Sequence, residues 1–130
     1  MISLADKDCN LSFNRTVSDP SLLPVRVSIR LDLPSGGRVG PGKIALLEAI
    51  AKTGSIAGAA RVLNMSYPYA WRLVEALDTA LGTAAVTRAA GGQKGGGATL
   101  TAAGQALIAR YRAVEEAAQT YAGPVSVKAK

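Results

Sequence analysis

The residues that could do chemistry are few. The chain has 130 residues, no His and one Cys, Cys9. Without His there is no Ser–His or Cys–His pair and no His–metal site, and the usual general base near neutral pH is missing. A lone Cys cannot close an internal disulfide or build a Cys-rich zinc site. No catalytic residue, metal or cofactor is therefore expected. One segment comes close to a nucleotide site. Gly37-Arg38-Val39-Gly40-Pro41-Gly42-Lys43-Ile44 nearly spells a P-loop. It fails where Ile44 replaces the Ser or Thr whose hydroxyl would hold Mg²⁺. The chain is also short of the further parallel strands and the acidic metal partner of such a fold. The segment reads as a turn-rich connection, with a nucleotide enzyme as a distant rival.

Binding chemistry is better supplied. Ser66, Tyr67, Tyr69 and Arg72 cluster at the start of one helical segment. Arg can pair bidentately with guanine, and Tyr and Ser hydroxyls can donate to base edges or phosphates. Downstream, Arg88, Gln93 and Lys94 border or occupy a glycine-rich stretch, Gly91–Gly97. Its bare backbone suits close approach to another backbone or a phosphate. Net charge is +6, and residues 24–101 carry nine bases against four acids. A basic surplus draws polyanions, nucleic acid first and membrane surfaces second.

The elements that must position these residues follow from periodicity and caps. Val25, Val27, Ile29, Leu31 and Leu33 alternate with polar residues, which predicts a half-buried strand ended by Pro34-Ser35-Gly36-Gly37. Ile44, Leu47, Ile50 and Ala51 share a helical face over Lys43–Thr53, and Gly54 terminates it. Ser55 caps a short helix, Ile56–Leu63, and Asn64 takes the turn because it tolerates the left-handed region. Ser66 caps the next helix, Tyr67–Leu81, with Pro68 harmless in its first turn and Gly82 at its end. Val86-Thr87-Arg88 and Ala98-Thr99-Leu100 read as a strand pair around the glycine-rich loop. Thr101 caps a last helix from Ala102 to about Tyr121. Its stripe of Leu107, Tyr111, Val114, Ala118 and Tyr121 alternates steps of four and three, the spacing of a helix packed lengthwise on another.

Two short helices joined by a tight turn need small residues at their crossing and apolar ones toward the core. Ala59, Ala60, Leu63, Met65, Ala70, Leu73, Val74 and Leu77 meet that demand, and Trp71 reads as half core. A plain helical bundle would satisfy the same pattern. A basic glycine-rich hairpin straight after the pair favours a helix-turn-helix with a wing, the second helix entering a major groove by its N-terminal end. Arg61 and Lys52 read as solvated or phosphate-facing. The fold class is mainly α with a small β-sheet: a winged helix-turn-helix with a long C-terminal helix. Residues 1–23 read as a flexible tail, 24–122 as the domain (55–81 helix-turn-helix, 85–101 wing) and 123–130 as a second tail. The N-terminus lacks the basic region and apolar run of a signal peptide, and no stretch approaches a membrane span. A cytoplasmic protein without membrane contact is expected.

Three stretches carry a family likeness. They are Leu47-Glu48-Ala49-Ile50-Ala51-Lys52-Thr53-Gly54-Ser55-Ile56, then Met65-Ser66-Tyr67 with Ala70-Trp71, then the Gly91–Gly104 wing and its following helix start. Over about residues 24–122 the chain resembles the N-terminal DNA-binding domain of the ModE molybdate-responsive regulators, itself similar to that of LysR-type regulators. The resemblance implies a sequence-specific duplex-DNA-binding regulator, a repressor of molybdate-related genes, acting as a homodimer on an inverted repeat. It implies that Tyr67–Leu81 is the recognition helix and 91–97 the wing. It also places the last helix, with Leu107, Tyr111, Val114, Ala118 and Tyr121, in the dimer interface. Pro68 and Tyr69 stand where relatives often carry a basic residue, so an operator does not transfer. The family's oxyanion-binding β-barrel domains would follow Lys130, so three outcomes stay open: constitutive binding, response through a separate molybdate-sensing protein, or a stand-alone member with another signal. A dimeric protein-interaction module without DNA specificity is the rival reading.

Overall fold

The structure is a computed structural model that describes residues 19–89 and 97–127. Along the chain it contains β1 (Leu22–Leu23), β2 (Leu31–Asp32), β3 (Arg38–Val39), α1 (Pro41–Thr53), α2 (Ile56–Val62), α3 (Tyr67–Leu81), β4 (Val86–Arg88), β5 (Ala98–Leu100), α4 (Ala102–Ala122) and β6 (Val125–Ser126). The chain divides into two compact units, residues 28–114 and the two flanks together.

The larger unit is a winged helix-turn-helix. Helix α1 begins at Pro41, two residues before the predicted Lys43, because proline at a helix start sacrifices no needed N–H. Arg38 and Val39, which would have to curl around a phosphate in a P-loop, instead pair antiparallel with Asp32 and Leu31. Lys43 Nζ donates to the Arg38 carbonyl at 2.8 Å. Gly54 ends α1 in the left-handed conformation (φ 81°), its N–H donating to Ile50. Helix α1 packs on α2, α3, β3 and β5. It therefore buries Leu46 and Ala49 as well as Ile44, Leu47 and Ile50, while Ala51, expected inward, is exposed.

The caps that set the helix-turn-helix are those read from the sequence. Ser55 Oγ accepts from the Gly58 N–H at 2.8 Å. Asn64 is left-handed at φ 58°, the single described non-glycine residue with positive φ. Ser66 Oγ accepts from the Tyr69 N–H at 3.2 Å. Helix α3 turns Ala70, Val74, Leu77 and Ala80 inward. Ala70, Val74 and Leu77 make one apolar core with Ile44, Leu46, Leu47, Ile50, Ile56, Ala59 and Ala60. Alanines at the crossing let the short helices approach closely, so the core is dense despite few aromatics.

Strands β4 and β5 pair antiparallel, Val86 with Leu100 and Arg88 with Ala98. Backbone bonds fix the foot of this hairpin. The Ala98 N–H donates to the Gly54 carbonyl at 2.8 Å and the Thr101 N–H to Ala85 at 2.9 Å. Thr101 Oγ1 donates to the Ala84 carbonyl and accepts from the Gly104 N–H, capping α4. At Gly104 the helix crosses so close to Ala85 that a Cβ would collide with its carbonyl oxygen. Further along α4, Leu107 and Tyr111 enter the core, and Arg112 grips Glu48 of α1 with two hydrogen bonds of 2.8 and 2.9 Å.

The predicted strand over 25–33 does not form. Only Leu31 and Asp32 join a ladder. The alternation of burial persists from Val25 to Leu33, but other partners take the main-chain groups. In the larger unit Tyr111 Oη donates to the Ile29 carbonyl at 3.0 Å. Within the flanking unit, Gln119 Nε2 donates to Val25 O at 2.7 Å and Gln119 Oε1 accepts from Val27 N–H at 2.8 Å. A side-chain amide thus stands in for the neighbouring strand. In the same unit β1 and β6 pair antiparallel, Leu22 with Ser126 and Leu23 with Val125, where tails were read from the sequence. The turn before β1 is closed by Ser21, whose N–H and Oγ both donate to Asp19, at 2.9 and 2.8 Å.

Candidate nucleic-acid interface

The exposed face of α3 is built by its cap. Ser66 fixes where the helix starts, so residues 67, 69 and 72 fall away from the buried line of Ala70, Val74 and Leu77. Ser66, Tyr67, Tyr69 and Arg72 are all exposed, with about half of each tyrosine open to solvent. All four thus lie exposed around the N-terminal end of α3. They are not independent of each other. The Arg72 guanidinium lies 5.7 Å from the centre of the Tyr69 ring, and the Tyr67 and Trp71 rings are 6.2 Å apart. Both distances are within the range of favourable ring contacts.

Arg88, at the outer end of β4, reaches the same surface. Its guanidinium lies 4.2 Å from the centre of the Trp71 ring. The indole N–H of Trp71 donates in turn to Glu75 Oε2 at 3.1 Å, one helical turn along α3. Tyr67, Trp71 and Arg88 thus form a run of ring contacts joining the helix to the hairpin. Spacing in the sequence could not reveal it, since β4 must first fold back on α3. Trp71 was read as half core, and it does pack against the core while its outer face takes Arg88. Gln93 and Lys94 lie outside the described residues.

The stripe read as a dimer face divides. Leu107 and Tyr111 are buried in the chain's own core at 7% and 0% exposure, which corrects their assignment to a partner interface. Packed in that core, they leave almost no surface to offer. Val114 and Tyr121 are exposed, Tyr121 almost completely, and Ala118 is half-buried.

Residues 42–105, from the first turn of α1 through the hairpin to the first turn of α4, match the family described as bacterial regulatory helix-turn-helix protein, lysR family. They are a LysR-type helix-turn-helix domain. Among curated proteins the chain is 51% identical over 81 residues to the molybdenum-pterin-binding protein MopB of Rhodobacter capsulatus, a stretch covering 62% of this chain and 30% of that one. It is 42% identical over 71 residues to the DNA-binding transcriptional dual regulator ModE of Escherichia coli K12, covering 55% and 27%. The resemblance to ModE regulators read from the wing and helix motifs is therefore upheld. Among solved structures, full-length CbnR complexed with its target DNA superposes with a TM-score of 0.50 at 31% identity, over 62% of this chain and 26% of that one. In each of these three comparisons the matched stretch is less than a third of the relative's length. Within the LysR-type domain, α2 and α3 are the helix pair and β4–β5 the wing. No described helix is long and apolar enough to cross a membrane.

Proposed function

We propose that the chain reads duplex DNA for a transcriptional regulator of molybdate-related genes. The observation that carries this reading is the joint surface of α3 and β4. A capped helix offers Ser66, Tyr67, Tyr69 and Arg72 at its N-terminal end, with Arg88 of the wing beside them. A helix presented in this way fits a major groove. Arg72 contacts guanine through its two-pronged guanidinium, and Tyr67, Tyr69 and Ser66 contact base edges or phosphates. Ser66 Oγ accepts from the helix backbone, which leaves its own hydrogen free to donate. Arg88, with Gln93 and Lys94 of the wing, meets phosphates. Binding of this kind weakens steeply as salt rises.

The functional unit is a homodimer on an inverted repeat, and regulation is repression. The exposed part of α4, with Val114, Ala118 and Tyr121, supplies the contact between copies, and Leu107 and Tyr111 do not. The chain works in the cytoplasm and does no catalysis.

Selection of bound fragments from a random DNA pool, with and without molybdate, tests the reading. A two-fold symmetric site supports it, and pools that never enrich would favour a protein partner instead. On the selected site, Arg72→Ala is expected to cost about 1–3 kcal/mol and to relax discrimination at one base pair per half-site. Wild-type affinity and specificity in that variant would remove Arg72 from the interface.

A further inference from the structure

The stack between α3 and the wing has a role beyond packing. We propose that Trp71 is a positioning residue for DNA contact: its indole face holds the Arg88 guanidinium at the groove-facing surface of α3, so that helix and wing engage DNA as one unit. This rests on the DNA-reading function proposed above. Four observations support it. The guanidinium sits 4.2 Å from the ring centre, the shortest of the three cation–ring contacts among the described residues. The indole is itself tethered by its N–H to Glu75 and flanked by Tyr67, so the platform is held at its edge and beside its ring. Trp71 is anchored against the core while Arg88 is exposed, so a fixed ring carries a solvent-facing charge. Arg88 makes no ion pair among the described residues, so its charge is not spent on a carboxylate.

The chemistry favours arginine on such a platform. A guanidinium lying on an aromatic face keeps its N–H donors directed outward around its edge, where a phosphate or a base edge can take two at once. The long side chain also gives up its rotamer freedom before DNA arrives, so less is lost on binding. Lysine would keep the charge and lose both the stack and the fork.

Three measurements on the whole chain test this. Trp71 is the sole tryptophan, so its fluorescence reports the stack directly. Arg88→Ala and Arg88→Lys are each expected to shift its emission to the red and to increase quenching by acrylamide, without loss of helical circular dichroism. Unchanged emission in both would overturn the proposal. On the selected DNA site, Arg88→Lys is expected to lose about fivefold in affinity with its salt slope nearly intact, and Arg88→Ala more, with the slope reduced by about one. Trp71→Phe keeps a ring face and is expected to retain most affinity, while Trp71→Leu falls to the level of Arg88→Lys.

The decisive arm is the double variant. Trp71→Leu with Arg88→Lys is expected to bind no worse than Arg88→Lys alone, because the lysine has already broken the contact that Trp71 makes. Losses that multiply would show that Trp71 acts apart from Arg88 and would overturn the proposal while leaving DNA reading in place. A wild-type chain that binds no DNA in a salt-dependent way would overturn the functional reading and this role together, whatever the fluorescence shows.

Discussion

Residues 102–114 and 115–122 form one unbroken helix, yet their surroundings differ throughout. In the first stretch Gly104, Leu107 and Tyr111 are buried, Gly104 against the Ala85 carbonyl and Tyr111 with its hydroxyl bound to the Ile29 carbonyl. In the second stretch no residue is buried, and Tyr121 is 93% exposed. The apolar spacing is nevertheless the same from Leu107 to Tyr121. A stripe of this period states that a helix has an apolar side, and it does not state what covers that side. The first half is covered by the chain's own core, whereas along the second Ala118 is only half-buried and Tyr121 stands open.

The largest contrast should come from the two tyrosines. Tyr111→Ala is expected to destabilise the fold by about 3–5 kcal/mol, the cost of emptying a large aromatic site. Tyr121→Ala should stay within about 0.5 kcal/mol in thermal denaturation of the monomer. Equal effects would erase the distinction between the two halves. Next, Gly104→Ala is expected to cost about 1–3 kcal/mol, since the new methyl must displace a carbonyl at the foot of the wing. A neutral result in urea denaturation would mean that α4 yields there.

In the second half, Gln119→Leu removes one acceptor and one donor from the Val25–Val27 backbone. It is expected to cost about 1–2 kcal/mol locally. Hydrogen exchange at the Val27 amide should accelerate while amides of α1 keep their protection. The smallest expected effect is at Ser21. The backbone N–H of Ser21, and then its hydroxyl, hold the Asp19 carboxyl below its ordinary value. A lowered carboxylate stabilises the turn above the normal carboxylate range and loses that effect as pH falls through its own pKa. Ser21→Ala keeps the backbone bond, so an NMR titration should find Asp19 moved only part of the way back up.

Much of the fold was legible because local chemistry dictates it. Ser55, Asn64, Ser66, Pro68 and Gly82 each satisfy a need of their own helix end, so the boundaries of α2 and α3 follow within a residue. The wing strands were legible for the same reason, bounded by glycines and Thr101. The segment 25–33 was not. Alternation encodes extended backbone and a buried side, whereas the partner of its hydrogen bonds is chosen by Gln119 and Tyr111, more than eighty residues away. The candidate interface was legible as a list of exposed residues on α3. Its organisation by Trp71 and Arg88 was not, since a strand from beyond Gly82 must return to meet the helix.

The foot of the wing is held by main-chain atoms. Ala98 is tied to Gly54, Thr101 to Ala85, and Gly104 lies against that same Ala85 carbonyl. Bonds of this kind ask little of side-chain identity beyond small size at a few places. The hairpin is therefore a socket in which loops of different length and composition can be mounted without retuning the core. An engineer can exchange residues 90–96 for another sequence and expect the helices to notice little.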